Sequence, residues 1–458
     1  MTKTKKIFTM LLIISLISGA LTSCGNNVND TETSSGQTEA DPTTGMSSTK
    51  GITLKYAQSI FEGGEVVDLV DLVHRETGIK IELVAPLQLP DENIDPVLIM
   101  LQAGDEVDIV YGSTAKLKTY YNAGVLIPID ELAAADNYDM QGTYGSSLPV
   151  MDDGKAYGLP AFNDIWLTVY NKKVFDDADI AYPPLEDFTW EKYIEIAKQL
   201  TDAENDLWGS YMLDYDCYNY MLATQKGAQP YLNGTANFND PRYKESLEFF
   251  YSLGNDEKIQ PDAALYASEL YSWNQFVTND NMGMWVIGGW AISMLPNQQD
   301  YPREWKAGLA PMPYPKGEAP STLSITGCYG IPTTCKNPEA AFEVIKCIAE
   351  NQYTLGYGRI PARTDLTEAE IMTYIEEKLI PVYEFDGITA EEIKACWFDA
   401  DRLLLPEKII GVADSQINEI WLEEGQLYGQ KYKSAEDAIR SIQQRANRAI
   451  ENEKATYE

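Results

Sequence analysis

Apolar residues alternate with polar ones from residue 52 and then recur at helical spacing. Residues 52–57 alternate like a strand, and residues 66–73 carry apolar side chains every three or four positions before Gly78. The pattern then predicts a strand, a helix and a short buried strand over residues 79–84, 96–101 and 107–111. Strands and helices that alternate in this order indicate a parallel α/β layer.

The middle and the end of the chain are more helical. Thr189 is placed to cap a helix whose apolar stripe runs through residues 190–200. Asn337 and Pro338 form a good helix start. Residues 434–437 resemble a capping box ahead of a last amphipathic helix.

The ends of the early strands indicate where a ligand would lie. Ligands of parallel sheets bind beyond the carboxyl ends of the strands. In this chain those ends are residues 58–62 and 112–116, which we expect to form loops. Gln58 and Glu62 follow the first strand and are therefore candidate ligand-binding residues.

The N-terminus has the pattern of a secretory signal peptide. Three lysines within the first six residues precede an apolar run over residues 7–21, which is shorter than the roughly 20 residues that a spanning helix needs. The run ends in Leu-Thr-Ser before Cys24, and this resembles a bacterial lipobox. It predicts that residues 1–23 are a signal peptide and that Cys24 is the lipidated first residue of the mature protein. The alternative is an ordinary cleavage site with an incidental cysteine.

Residues 24–50 read as a tether between the lipid and a folded body. Beyond Cys24 this segment is almost entirely polar, so it cannot bury enough surface to offset its chain entropy. No later stretch is apolar and long enough to cross a bilayer. We expect a protein that is anchored by lipid to the extracellular face of the cell membrane and does not span it.

The charge of the chain limits the class of partner, and its length limits the number of domains. The formal net charge is −35, and because phosphate binding needs a basic face, no nucleic-acid partner is expected. The same acidity makes an anionic nutrient less favourable, although solubility explains it equally well. The chain beyond the tether is too long for one compact core and suits two or three domains.

Residues that carry catalytic or metal chemistry are sparse. Five cysteines remain beyond Cys24 without a Cys-x-x-Cys pair, so we expect small buried residues and neither a zinc site nor a disulfide framework. His74 is the only histidine and is expected to be solvated. No nucleophile elbow, phosphate loop or metalloprotease motif occurs, and no metal or cofactor is implied. The many carboxylates leave glycoside hydrolysis open, since their spacing in the fold is unreadable.

A series of segments resembles the family 1 extracellular solute-binding proteins, the group that contains the maltose-binding protein. They are residues 101–111 (LQAGDEVDIVY), 124–130 (GVLIPID), 153–160 (DGKAYGLP), 169–175 (VYNKKVF), 188–191 (FTWE), 282–290 (MGMWVIGGW), 308–315 (GLAPMPYP), 325–331 (ITGCYGI) and 358–363 (GRIPAR). They follow the family's order across nearly all of residues 51–458. Each motif alone is weak, and their succession carries the resemblance.

The resemblance implies an α/β fold of the periplasmic-binding-protein type, with two lobes joined by crossing strands and a ligand cleft between them. Lobe 1 would comprise residues 51–163 and 314–366, and lobe 2 residues 164–313 and 367–458. Bending at the crossings would close the cleft on its ligand. The implied partners are a small molecule, most commonly a carbohydrate in this family, and the permease subunits of an ABC importer, with the protein acting as a monomer.

The resemblance also indicates ligand-binding residues. Trp290 follows two glycines after an apolar strand, where relatives often place a ring that stacks on sugar; the alternative is a core tryptophan. Asp164 precedes Tyr170 by six residues, as a ligand-binding carboxylate does in maltose-binding relatives, and solvation of the hinge is its competing role. Nine tryptophans and 29 tyrosines favour a flat, partly apolar ligand.

Other candidates align less closely with the family. Lys116 lies beyond the third strand, where relatives contact sugar hydroxyls, but Gly112 and Ala115 replace the tryptophan and aspartate of maltose binders, which argues against maltose itself. Tyr215 and Asp216 fall near another contact loop, although a surface role suits them equally.

Arg363 and Trp166 lie beside crossings that the resemblance implies near residues 159–167, 311–315 and 364–370. Arg363 could reach the cleft, with an ion pair at the third crossing as the alternative, and Trp166 is expected to pack beside the first crossing. We expect a binding protein without catalytic activity that captures a sugar or oligosaccharide. A polyol, a peptide or a modified amino acid is an alternative ligand. A surface glycan-processing enzyme and an adhesin are further alternatives.

Overall fold

The computed structural model describes residues 51–58, 63–86, 95–213, 215–268, 271–272, 274–355 and 359–457. The predicted signal peptide, Cys24 and the tether lie outside these residues, and so does Glu62. The segment Thr49–Glu458 forms one compact unit. Among the described residues, no helix is long and apolar enough to cross a membrane.

Strands and helices alternate along the chain. The strands are β1 Thr53–Ala57, β2 Lys80–Val84, β3 Ile109–Ser113, β4 Leu159–Ile165, β5 Leu167–Asn171, β6 Trp208–Ser210, β7 Tyr231–Leu232, β8 Thr235–Ala236, β9 Met282–Ile287, β10 Ala307–Pro311, β11 Ser321–Gly330, β12 Ile360–Pro361 and β13 Leu403–Pro406. The helices are α1 Gly63–Thr77, α2 Pro96–Ala103, α3 Thr114–Asn122, α4 Asp130–Ala135, α5 Met140–Tyr144, α6 Lys172–Ala178, α7 Trp190–Leu200, α8 Met221–Gln225, α9 Pro241–Asn255, α10 Ala263–Ala267, α11 Gln275–Thr278, α12 Gly289–Ile292, α13 Pro338–Asn351, α14 Glu368–Tyr374, α15 Ala390–Trp397, α16 Asp414–Gly429 and α17 Ala435–Tyr457.

The strands form two main sheets. The first sheet has the order β12-β4-β11-β3-β1-β2, with β13 beside β11. The predicted parallel layer is its β2-β1-β3 part, and β11 joins it antiparallel to both β3 and β4. The second sheet has the order β10-β5-β9-β6, and β7 and β8 form a separate hairpin.

The central strands of each main sheet are buried on both faces, as successive residues of a strand show. In β3, Ile109 and Val110 belong to two different hydrophobic cores on opposite sides of the first sheet. In β9, Trp285 and Val286 divide in the same way between the two cores of the second sheet. Because side chains alternate across a strand, helices must cover both sides of each sheet.

Most predicted helices and strands are present. The helix over residues 66–73 is α1, and Gly78 follows it with a left-handed φ of 75° that glycine adopts without strain. Thr189 caps α7 by accepting a hydrogen bond from the backbone amide of Lys192. Ser434 accepts a hydrogen bond of 3.1 Å from the amide of Asp437 at the start of α17.

The third strand differs from its prediction, and so does the segment after it. β3 begins two residues later than predicted and continues to Ser113, whose hydroxyl accepts a hydrogen bond from the amide of Lys116. This cap starts α3 at once. Residues 112–116 are therefore the end of a strand and the first turn of a helix, and the predicted loop was wrong.

The chain passes between the two sheets at three places. It leaves β4 for β5, returns from β10 to β11, and crosses again after β12 into helices whose apolar side chains pack with the second sheet. In the β4–β11 pair, Asp164 lies opposite Ile325. β11 is half-buried at Ser324, Ile325 and Thr326 and buried at both ends. Its middle therefore lies between the cores of the two sheets, at the floor of a cleft.

Candidate functional site

An aromatic cavity of about 320 Å³ lies at the end of β9, beside the crossing from β4 to β5. Its described lining consists almost entirely of rings and aliphatic side chains, namely Tyr211, Leu213, Tyr215, Tyr218, Tyr266, Trp285, Ile287 and Trp290. Tyr215, Tyr266 and Trp290 are half-buried, whereas the other five are buried. We call it the Trp290 cavity.

Two glycines bring Trp290 to this position. A Cβ atom on Gly288 would lie 2.3 Å from Nε1 of Trp290 and 3.0 Å from Nε1 of Trp166. A Cβ on Gly289 would lie 3.2 Å from the carbonyl oxygen of Ile165 in β4. Glycine at both positions therefore lets two indoles and the crossing strand approach one another closely.

Three rings pack against one another in a row at the cavity. The ring centroids of Trp290 and Tyr215 are 5.9 Å apart at an interplanar angle of 49°, and those of Tyr215 and Trp166 are 6.0 Å apart at 29°. Trp166 is fully buried, which agrees with its expected packing role. Of the three, only Tyr215 and Trp290 are exposed enough to contact a ligand.

A buried carboxylate fixes the orientation of two of these rings, Trp166 and Tyr215. Glu407 accepts a hydrogen bond of 2.7 Å from Nε1 of Trp166 and one of 2.9 Å from the hydroxyl of Tyr215. Lys408 lies over the ring of Tyr215, with its Nζ 3.9 Å from the centroid, and forms an ion pair with Asp216. Burial raises the pKa of Glu407, and the neighbouring Lys408 opposes that rise.

We expect replacement of Glu407 by glutamine to change how stability depends on pH. A carboxyl whose pKa is raised on folding contributes stability below its unfolded pKa of about 4.3 and loses it as pH rises through the folded pKa. A glutamine side chain stays neutral at every pH, so it does not lose stability in this way. Its amide oxygen can still accept the hydrogen bond from Trp166. Relative to the parent, Glu407→Gln should therefore gain free energy of unfolding between pH 4 and pH 7, measured by urea denaturation. The exposed Glu376→Gln is the control, and parallel curves for Glu407→Gln and the parent would contradict the expectation.

A second cluster of charges lies at the cleft floor. Arg359 binds both carboxylate oxygens of Glu65, at 3.0 and 3.1 Å, and its Nη1 lies 3.5 Å from Oδ2 of Asp164. Its guanidinium lies 4.3 Å from the ring centroid of Phe162. Burial raises the pKa of Asp164, Arg359 lowers it and Glu65 raises it further. The side chain of Asp164 keeps 16% of its surface exposed, so a ligand at the floor could reach it.

The predicted site residues fall in different places. Trp290 and Tyr215 line the Trp290 cavity. Asp216 is connected to the cavity wall only indirectly, through its ion pair with Lys408. The backbone of Asp164 lies close to the glycines before Trp290, since a Cβ on Gly289 would be 3.6 Å from its Cα, while its carboxylate pairs with Arg359.

The remaining candidates are not among the residues that line this cavity. Lys116 lies in the first turn of α3, with Nζ 3.3 Å from Asp95, and Gln58 accepts a hydrogen bond from the hydroxyl of Tyr56. Arg363 forms the alternative ion pair, with Nε 2.7 Å from Asp365. Glu62 lies outside the described residues.

Reasoning from sequence missed four charged residues of the site: Glu65, Arg359, Glu407 and Lys408. Arg359 was within reach, since it belongs to the same GRIPAR segment as Arg363. Glu407 and Lys408 follow β13, whose parallel pairing with β11 joins segments about 80 residues apart. Such pairing leaves no local pattern in the sequence.

The remaining residue types that could carry chemistry are clustered carboxylates, cysteine and histidine. In the part of the chain that the structure describes, no three His, Cys, Asp or Glu side chains converge to hold a metal ion. The five described cysteines are free. All but the half-buried Cys335 are buried, as expected for small apolar side chains. His74 is exposed, as predicted.

A family model for bacterial extracellular solute-binding proteins matches residues 69–354. The chain belongs to this family. A putative binding protein of Brucella abortus (strain 2308) is 23% identical over 287 residues, which cover 60% of this chain and 66% of the relative, just under two thirds of its length.

Solved structures of similar proteins confirm the two-lobed α/β fold. An ABC substrate-binding protein from Listeria monocytogenes in complex with cycloalternan superposes with a TM-score of 0.69 at 20% identity, covering 87% of this chain and 99% of that one. A cyclo/maltodextrin-binding protein complexed with maltotetraose superposes with a TM-score of 0.65 at 19% identity, covering 87% of this chain and 97% of that one. This solute-binding protein therefore has two lobes with mixed sheets, as the resemblance implied.

Proposed function

We propose that this solute-binding protein captures a sugar or oligosaccharide in its cleft and delivers it to the permease of an ABC importer. The Trp290 cavity carries the proposal, because it offers flat rings at the end of β9, with the hydroxyl of Tyr215 held in place by Glu407. A pyranose presents apolar C–H faces and polar hydroxyls, so rings that carry their own hydroxyl or indole N–H groups suit both. Tyr215 and Trp290 would supply the stacking surface and Asp164 a hydrogen-bond acceptor.

The charges around the cleft favour an uncharged ligand. Glu65, Asp164, Asp216 and Glu407 are carboxylates, while Arg359 and Lys408 are the cations paired with them. The cations are held by these carboxylates, and the field of the whole chain, at −35, repels anions. A neutral saccharide pays no penalty in this field.

The similar structures support the substrate class. The protein from Listeria monocytogenes binds cycloalternan, and the cyclo/maltodextrin-binding protein binds maltotetraose; both ligands are oligosaccharides. In this chain we assign the two lobes to residues 51–163 with 314–366 and to residues 164–313 with 367–458. They would close by bending at β4 and β11, and the closed monomer would present the ligand to the permease.

The N-terminal segment fits the same role. Lipidation at Cys24 after removal of residues 1–23 would hold the protein at the extracellular face of the membrane, with residues 24–50 as the tether. The receptor would then stay close to its permease while its lobes open and close in solution. Gln58, Glu62, Lys116 and Arg363 remain candidates for ligand contacts from lobe 1.

A thermal-shift screen of the purified protein tests the proposal. The panel contains sugars, oligosaccharides, polyols, amino acids and peptides. A ligand that binds only the folded state at 100 times its Kd adds about 2.7 kcal/mol to the free energy of unfolding. We expect stabilisation by a saccharide series. Stabilisation by peptides or amino acids alone would overturn the substrate class, and cleavage of a saccharide during incubation would favour the enzyme alternative.

A further inference from the structure

A second cavity adjoins the Trp290 cavity. It has a volume of about 540 Å³ and lies between α9, α10 and the end of α16. Leu213 and Tyr266 line both cavities, so the two spaces are neighbours that have these two side chains in common. Tyr266 is half-buried and belongs to the short helix α10, which contributes to the lining of both cavities. We call this space the α9–α16 cavity.

The α9–α16 cavity combines ring faces with amide groups. Phe250, Tyr251 and Tyr271 contribute rings, and Gln260, Gln426 and Gln430 contribute amides. The buried Gln260 is held in place, since its Oε1 accepts hydrogen bonds of 3.0 Å from Ser210 and 3.2 Å from the amide of Met212. Rings and amides together match the alternating apolar faces and hydroxyls of a sugar chain.

Volume and charge restrict the occupant. Small-molecule sites usually enclose roughly 300–1,000 Å³, so the Trp290 cavity alone lies at the low end of that range, and the two cavities together lie near its upper end. Among the described residues that line the α9–α16 cavity, Asp262 is the charged one. Its carboxylate caps α10 by accepting hydrogen bonds from the amides of Ala264 and Leu265. An extended neutral ligand fits this lining.

We infer that the α9–α16 cavity is a second subsite, which takes the sugar units that continue an oligosaccharide beyond the unit held at Trp290. This inference rests on the proposed function and makes the ligand an oligosaccharide rather than a monosaccharide or a disaccharide. Affinity should then rise with chain length until both cavities are occupied. The additional units contribute without a second loss of translational freedom.

Titration calorimetry of the purified protein tests the inference. The probes are maltose-type, cellulose-type and arabinan-type oligosaccharides of two to six units. We expect the parent to bind the hexasaccharide of one series at least about tenfold more tightly than its disaccharide. Ala267→Trp from α10 and Gln430→Trp from the end of α16 each place an indole in the α9–α16 cavity, and each should reduce that ratio by about tenfold.

Ala178→Trp, at the exposed end of α6, is the matched control and should keep the parent's ratio. Two substitutions on different helices keep the test decisive if one of them unfolds the protein. Equal affinity of the parent for di- and hexasaccharide would overturn the second subsite and leave the proposed function standing. An unreduced ratio in both indole variants would do the same. Failure of the parent to bind any saccharide would overturn both.

Discussion

Asp386→Ala should lower the free energy of unfolding by about 3–5 kcal/mol, because it leaves a buried arginine without its counter-charge. The side chains of Arg303 and Asp386 are 0% and 1% exposed. Nη1 and Nη2 of Arg303 donate to the two carboxylate oxygens at 2.6 and 2.7 Å, and the amide of Ala307 donates to Oδ1 at 2.7 Å. The pair thus ties the start of β10 to the segment before α15.

Asp386 is the carboxylate that pairs with Arg303 among the described residues. The remaining hydrogen bonds of Arg303 go to the carbonyl oxygens of Trp305 and Leu295, and its guanidinium lies between the rings of Trp305 and Phe385. Removal of Asp386 therefore leaves a buried cation whose desolvation penalty is no longer offset by a counter-charge. Urea denaturation followed by circular dichroism measures the loss.

Asp365→Ala is the matched control for this substitution. Asp365 also forms a two-point ion pair, with Arg363, but the side chains are 39% and 22% exposed. Such a pair should contribute about 1 kcal/mol or less. Equal losses for Asp365→Ala and Asp386→Ala would contradict the role assigned to burial.

Trp290→Ala should weaken saccharide binding by more than about 1 kcal/mol, which corresponds to more than about fivefold in Kd. The indole is half-buried at the rim of the cavity, so its removal takes away a stacking face without emptying a core. Tyr215 would also lose the ring that packs against it at 5.9 Å. Titration calorimetry with the saccharide that gives the largest thermal shift measures the change.

Tyr432→Ala is the control for the loss of an exposed aromatic ring. Tyr432 is 74% exposed and is not among the residues that line the described cavities, and its removal should leave Kd unchanged. A folded Trp290→Ala variant with the parent's affinity would remove Trp290 from the site. It would also remove the observation on which the substrate class rests.

The fold could be predicted from the sequence because its early elements are local. The apolar alternation in β1, the helical spacing in α1 and the turn at Gly78 are each visible within a few residues. The end of β3 could not be placed as well, because the switch from strand to helix depends on the cap that Ser113 provides. A capping serine next to a glycine resembles a loop in sequence.

Residues of the site could be predicted only where they belong to a recognisable sequence motif. Trp290 followed from its two glycines, whereas Glu407 holds Tyr215 and Trp166 from positions 192 and 241 residues away in the sequence. Contacts between residues this far apart in the sequence form when β13 pairs with β11, and no spacing of residues along the chain predicts them. Arg359 and Arg363 share one motif, and their different ion-pair partners are set by contacts that the motif does not encode.

Small-angle X-ray scattering with and without the bound saccharide tests the central claim most directly. If the lobes bend at β4 and β11 to enclose the ligand, the ligand binds the closed form more tightly and shifts the population toward it. The radius of gyration should then fall on saturation with the best-binding oligosaccharide and stay unchanged with a sugar that gives no thermal shift. An unchanged scattering profile at saturation would contradict a hinge-closing receptor.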